Sequence, residues 1–112
     1  LAFSCGGSPW FMEVKGVTLD MNGTAMFPDA PTERGIRHLE GLAQAVKDGY
    51  GATALFVIQM KGVHAFSPHR ERHPEFADAL KKAKENGVHI WAYDCAVTDR
   101  SMKLDAPVPV IL

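Results

Sequence analysis

Residues 52–60 read Ala-Thr-Ala-Leu-Phe-Val-Ile-Gln-Met, almost without interruption by a polar group. The run is far too short to span a bilayer, and its aromatic and β-branched residues favour an extended backbone. Apolar on both alternating sides, it predicts a central strand covered on both faces. The rest of the chain has to supply that cover.

The chain has the means to do so. Its 112 residues, 46% hydrophobic and 22% charged, suit one domain with its own core and exclude a disordered polymer. No apolar run reaches the roughly 18 to 20 residues of a membrane span. No basic segment precedes Leu1-Ala2-Phe3, so a signal peptide is not expected. The opening lacks methionine and reads like a strand, which predicts that the natural protein continues upstream and that residues 1–112 form its C-terminal part. Cys5 and Cys95 are too few and too far apart for a disulfide scaffold or a metal knuckle. Free thiols in a reducing cytoplasm are the expectation.

Local signals divide the chain into β-β-β-α-β-α-β. Residues 1–5 and 10–19 read as strands joined by Gly6-Gly7-Ser8-Pro9, and Asn22-Gly23 predicts a type I′ hairpin returning through 24–27. Asp29 is placed to cap a helix over 30–48, with Pro31 in its first turn, Gly49 past its end, and Ile36, Leu39, Leu42, Ala43 and Val46 as its buried stripe. Residues 62–72 read as a loop. A second helix from Pro74 to Asn86-Gly87 buries Phe76, Leu80 and Ala83, a strand covers 88–97, and an edge strand lies near 108–112. The expected fold class is α/β, a mixed β-sheet flanked by helices.

Within the second strand stands Glu13-Val14-Lys15. Positions i and i+2 of a strand share a face, so the carboxylate and the ammonium point the same way, among Phe11, Val17 and Leu19. Charges in so apolar a setting are paired, or they bind a metal. One reading is an intrastrand ion pair near a sheet edge. The other is a phosphodiester-cleaving site in which Glu13 binds Mg²⁺ and Lys15 orients water or stabilises developing charge. A hairpin strand, crossover helix and buried strand in this order match the PD-(D/E)xK nuclease arrangement, and Gln59 at the end of the central strand could reach the same place.

Formal net charge is −1, from 12 basic and 13 acidic residues, so any nucleic-acid footprint has to be local. Candidates are His69-Arg70-Glu71-Arg72-His73 and Lys81-Lys82-Ala83-Lys84; a solvated helix face explains the lysines equally well. Arg34 and His38, spaced i, i+4, share one face of the first helix. Arg34 suits a phosphate, with an ordinary ion pair as the alternative.

Met12-Glu13-Val14-Lys15-Gly16-Val17-Thr18-Leu19 and Phe27-Pro28-Asp29-Ala30-Pro31-Thr32-Glu33-Arg34-Gly35 followed by His38-Leu39 resemble the sugar fermentation stimulation protein family. So do Phe56-Val57-Ile58-Gln59, His73-Pro74-Glu75-Phe76 and Val108-Pro109-Val110. The resemblance implies a C-terminal nuclease-like domain over 1–112, an OB-like domain upstream of it, DNA binding, and a link to regulation of sugar, especially maltose, metabolism. It further implies a Mg²⁺- or Mn²⁺-dependent endonuclease as the alternative activity, with Glu13 and Lys15 catalytic; Gln59, from its place at the strand end, is the third catalytic candidate. An aspartate that the family carries before a phenylalanine is replaced by Ala2 if Phe3 is that phenylalanine. Asp29 or Glu33 would then have to join Glu13 at the metal. Expected nucleic-acid contacts are Lys15, Arg34, His38, Arg70 and Arg72. The expected partner is DNA, with a homodimer as the assembly allowed and no membrane contact. A sugar-binding module resting on Trp10, Trp91 and Tyr93 is the third reading; their strand positions favour core packing instead.

Overall fold

The computed structural model describes the backbone of residues 2–5, 8–97 and 102–112. Two glycines of the expected first turn, Gly6 and Gly7, lie outside the described residues. Among these described residues, eight strands and two helices follow in the order β1 (Ala2–Cys5), β2 (Ser8–Val17), β3 (Leu19–Met21), β4 (Thr24–Phe27), α1 (Glu33–Lys47), β5 (Gly51–Ile58), β6 (Ala65–Pro68), α2 (Pro74–Glu85), β7 (His89–Val97) and β8 (Met102–Pro107).

The apolar run is β5, and it is central. A five-stranded sheet runs β1-β2-β5-β7-β8, with β2, β5 and β7 parallel and the two outer strands antiparallel. Ala52 through Phe56 and Ile58 are buried. On one face Ala54, Phe56 and Ile58 join Leu39 and Leu42 of α1 and Phe76 and Leu80 of α2 in a single core. Phe56 stacks on Phe66 at 4.4 Å between ring centroids, and Phe27 bridges Phe56 and Phe76 at 5.6 and 5.4 Å.

The other face of β5 is covered differently. Thr53 is fully buried and accepts a hydrogen bond from Trp10 Nε1 at 2.9 Å, while the Trp10 ring stacks on His89 at 5.6 Å. Val14, Leu55 and Trp91 form one row across β2, β5 and β7. Leu55 in the middle is buried; Val14 and Trp91 on its flanks are 47% and 42% exposed. The expectation that Trp91 packs in the core therefore fails, because the shared core of the two helices lies on the opposite face.

Several element boundaries differ from those expected from the sequence. The long second strand breaks at Thr18, and its end becomes β3, which pairs with β4 in a second sheet ordered β3-β4-β6. The Asn22-Gly23 hairpin forms as expected, both residues at positive φ (56° and 92°), with Gly23 N donating to Asp20 Oδ1. The segment read as a loop contains β6, whose Ala65 and Phe66 are buried beside β4. The tail strand lies at 102–107 rather than 108–112; beyond it Val110 makes one parallel bridge to Phe66.

Helix α1 begins later than Asp29 suggested. Pro31 disfavours helical backbone at Ala30. Thr32, with extended φ and ψ, caps the helix by accepting from Gly35 N at 3.0 Å. Asp29 is therefore not the cap but an exposed residue in the preceding bend. The same turn explains Gly35. A Cβ there would lie 2.9 Å from Thr32 Cγ2 and 3.1 Å from the Phe76 ring. Gly35→Ala should thus destabilise the fold by about 1 to 3 kcal/mol despite alanine's higher helix propensity, the usual cost of overpacking a tight core. A denaturant midpoint equal to or above that of the parent would contradict this packing.

Candidate functional site

Strand β2 carries Phe11, Glu13, Lys15 and Val17 on the face that α1 covers. Its register with β5 sets Glu13 beside Ala54 and Lys15 beside Phe56, so both charges rise from the edge of the buried core. Neither is fully immersed: their side chains are 32% and 19% exposed. Helix α1 crosses above them and lowers His38 between the two. Lys15 Nζ lies 2.7 Å from His38 Nδ1, Glu13 Oε1 lies 3.1 Å from the same nitrogen, and Lys15 and Glu13 are 3.5 Å apart. On the far edge of the ring, Arg34 Nε approaches His38 Nε2 at 3.4 Å.

The His38 imidazole is held below its ordinary pKa, first by burial and then by the Lys15 ammonium, with Glu13 opposing them. The neutral ring is consequently the form at neutral pH. A neutral Nδ1 can accept from lysine, which has only donors to offer. With Nδ1 accepting, the ammonium donates toward both Nδ1 and the Glu13 carboxylate, the ring proton sits on Nε2, and Arg34 Nε at 3.4 Å stands beside that N–H without a hydrogen bond.

The remaining expected site residues are placed as follows. Arg34 joins the cluster through His38. Gln59 does not: its N–H bonds Val17 O, and its amide nitrogen lies 2.8 Å from where a Gly16 Cβ would stand, on the opposite face from Lys15. Glu33 is almost fully exposed and pairs with Arg37 at 3.9 Å. Arg70 pairs with Asp78 of α2 at 2.8 Å, and Arg72 is exposed. Their turn is nonetheless fastened to the start of α1, because Thr32 N donates to His73 Nδ1 at 3.1 Å.

Beside Glu13 and His38 opens a groove of about 450 Å³, walled by Phe11 and Leu42 and edged by Arg37 and Tyr50. Tyr50 meets Phe11 edge-on at 5.5 Å. The sequence reading did not include Arg37 or Tyr50. The only available signal was Arg37 one turn before Gly41 on α1; Tyr50 sits in the connection to β5 and carries no periodic mark.

A family model described as the sugar fermentation stimulation protein RE domain matches residues 1–101. The chain belongs to the sugar fermentation stimulation protein family. It is 57% identical over 102 residues to a sugar fermentation stimulation protein homolog of Clostridium beijerinckii, covering 91% of this chain and 45% of that protein. A Clostridium acetobutylicum homolog is 49% identical over 106 residues, covering 95% and 46%. The chain thus spans less than half the length of these relatives. Among solved structures, Pyrococcus furiosus SfsA in complex with Ca²⁺ superposes with a TM-score of 0.91 at 29% identity, covering 99% of this chain and 48% of that one. The family that the Met12–Leu19 and Phe27–Gly35 stretches resemble is thereby shown to be this chain's, and so is a mixed α/β fold with two helices.

The nuclease-like fold expected from the sequence would imply a divalent cation, and the donor set bears on that expectation. Among the described residues no group of three or more His, Cys, Asp or Glu side chains is placed to hold a metal ion. Glu13 is engaged by Lys15 and His38, and Asp29 and Glu33 make no contact with it that would complete a set. Ala2, the position read as lacking an aspartate, pairs with Phe11. The residues described do not by themselves fit a Mg²⁺ site.

Proposed function

We propose that this domain binds DNA through its phosphate backbone, with Lys15 and Arg34 as the principal contacts. The observation that carries the reading is the chain of contacts Glu13–Lys15–His38–Arg34 at a partly exposed surface. Two cations flank a neutral imidazole, and a single carboxylate offsets only one of them. Arg34 supplies a planar fork suited to phosphate oxygens, whereas Lys15 supplies a point charge. Arg37 at the groove edge extends the positive rim, and Arg70 and Arg72 lie on the turn tied to the same end of α1. The link to regulation of sugar, especially maltose, metabolism would then run through this DNA contact. Binding by the intact protein should weaken steeply as salt rises, because phosphate contacts release condensed counterions. No binding to duplex DNA at low salt would sink the proposal.

Metal-dependent cleavage of DNA is the second reading. It is favoured by the placement of Glu13 and Lys15 on a strand antiparallel to β1 and parallel to β5, and by the Ca²⁺ complex of the Pyrococcus relative. No step is assigned to a metal, since the described donors do not complete its site. Incubation of plasmid DNA with Mn²⁺, with and without chelator, separates the two readings. Chelator-sensitive nicking that disappears in Glu13→Ala would favour cleavage.

A further inference from the structure

We propose that His38 is a positioning residue that holds the Lys15 ammonium against the Glu13 carboxylate, an inference resting on the reading of these two groups as the working pair. Strand geometry alone does not bring them together. Neighbours at i and i+2 project side by side from the sheet, and a lysine on four rotatable bonds is free to swing toward solvent. Yet Lys15 Nζ is closer to His38 Nδ1, at 2.7 Å, than to Glu13 Oε1, at 3.5 Å.

The imidazole is therefore the nearer anchor, and it comes from a different element. Its place is set by the packing of α1, because Leu39 and Leu42, which follow it on the helix, are buried in the core. Arg34 Nε lies 3.4 Å from Nε2 on the outer edge of the ring. The groups facing His38 are Glu13 and Lys15 from β2 and Arg34 and Arg37 from α1. A helix thus fixes a strand's lysine: the crossover that builds the fold also aims the charge.

Lysine-selective ¹⁵N NMR on the intact protein reads this directly, without nucleic acid. In the parent, the Lys15 ammonium, assigned by its disappearance in Lys15→Arg, should give a slowly exchanging signal. In His38→Ala its hydrogen exchange should accelerate by roughly tenfold, in line with loss of a charge-assisted hydrogen bond. His38→Asn, which returns an acceptor near the Nδ1 position, should recover part of the protection. Unchanged Leu39 and Leu42 amide shifts would show that α1 still packs in both variants. An ammonium already in fast exchange in the parent, or one unaffected by His38→Ala, would overturn the inference. Failure to bind DNA would instead overturn the proposed function and leave the exchange result standing.

Discussion

Phe56→Ala is expected to lower the stability of this domain by about 3 to 5 kcal/mol, the range for truncating a buried aromatic in a core that cannot collapse around the gap. Phe56 is 1% exposed, stacks on Phe66 and meets Phe27, so its removal opens the layer between the five-stranded sheet and the three-stranded one. A deficit of that size approaches the whole stability of an ordinary domain. The functional site would suffer with the fold, since Phe56 is the register partner of Lys15. Urea unfolding followed by circular dichroism measures the loss. A midpoint within the error of the parent would mean that the aromatic layer is not where the stability resides.

The second large effect concerns charge at the site and has opposite signs at neighbouring positions. Lys15→Glu should weaken DNA binding by on the order of tenfold or more at low salt, because it replaces a phosphate contact with a repulsion. Glu13→Gln, measured in chelator, should tighten it, because it removes the only carboxylate in the contact chain and leaves Lys15 and Arg34 unopposed. Fluorescence anisotropy with one labelled duplex measures both. Weaker binding by both variants would indicate that the pair matters as a unit for structure rather than as a source of positive charge.

Much of the fold was legible in local chemistry. A nearly uninterrupted apolar run rich in aromatic and β-branched residues favours a central strand, Asn22-Gly23 favours a tight turn, and the stripe of Ile36, Leu39 and Leu42 favours a core-facing helix. The misplaced boundaries have physical causes that are not local. Thr18 ends β2 because the chain leaves one sheet for another, and no residue type signals that departure. Thr32 displaced Asp29 as the cap because Pro31 keeps Ala30 out of the helix, so the first good acceptor after the proline takes the role. Residues 65–68 form a strand through pairing with β4, a partner some forty positions earlier in the chain.

The site was legible in part for a related reason. Glu13 and Lys15 share a face by strand periodicity, and Arg34 and His38 share one by helix periodicity. That the two pairs meet depends on how α1 crosses β2, which neither period encodes. Gln59 shows the converse. Position at the strand end suggested reach, but the amide lies over Gly16 on the far side of the sheet.

The central claim is that Lys15 is a phosphate-contacting cation held in place at the crossing of β2 and α1. The measurement that tests it most directly is the salt dependence of duplex binding by the parent and by Lys15→Ala. Plotted as log affinity against log salt, the slope should be shallower in the variant by about one, the signature of one lost phosphate contact. Parallel lines of equal slope would contradict the claim, whatever the difference in affinity between them.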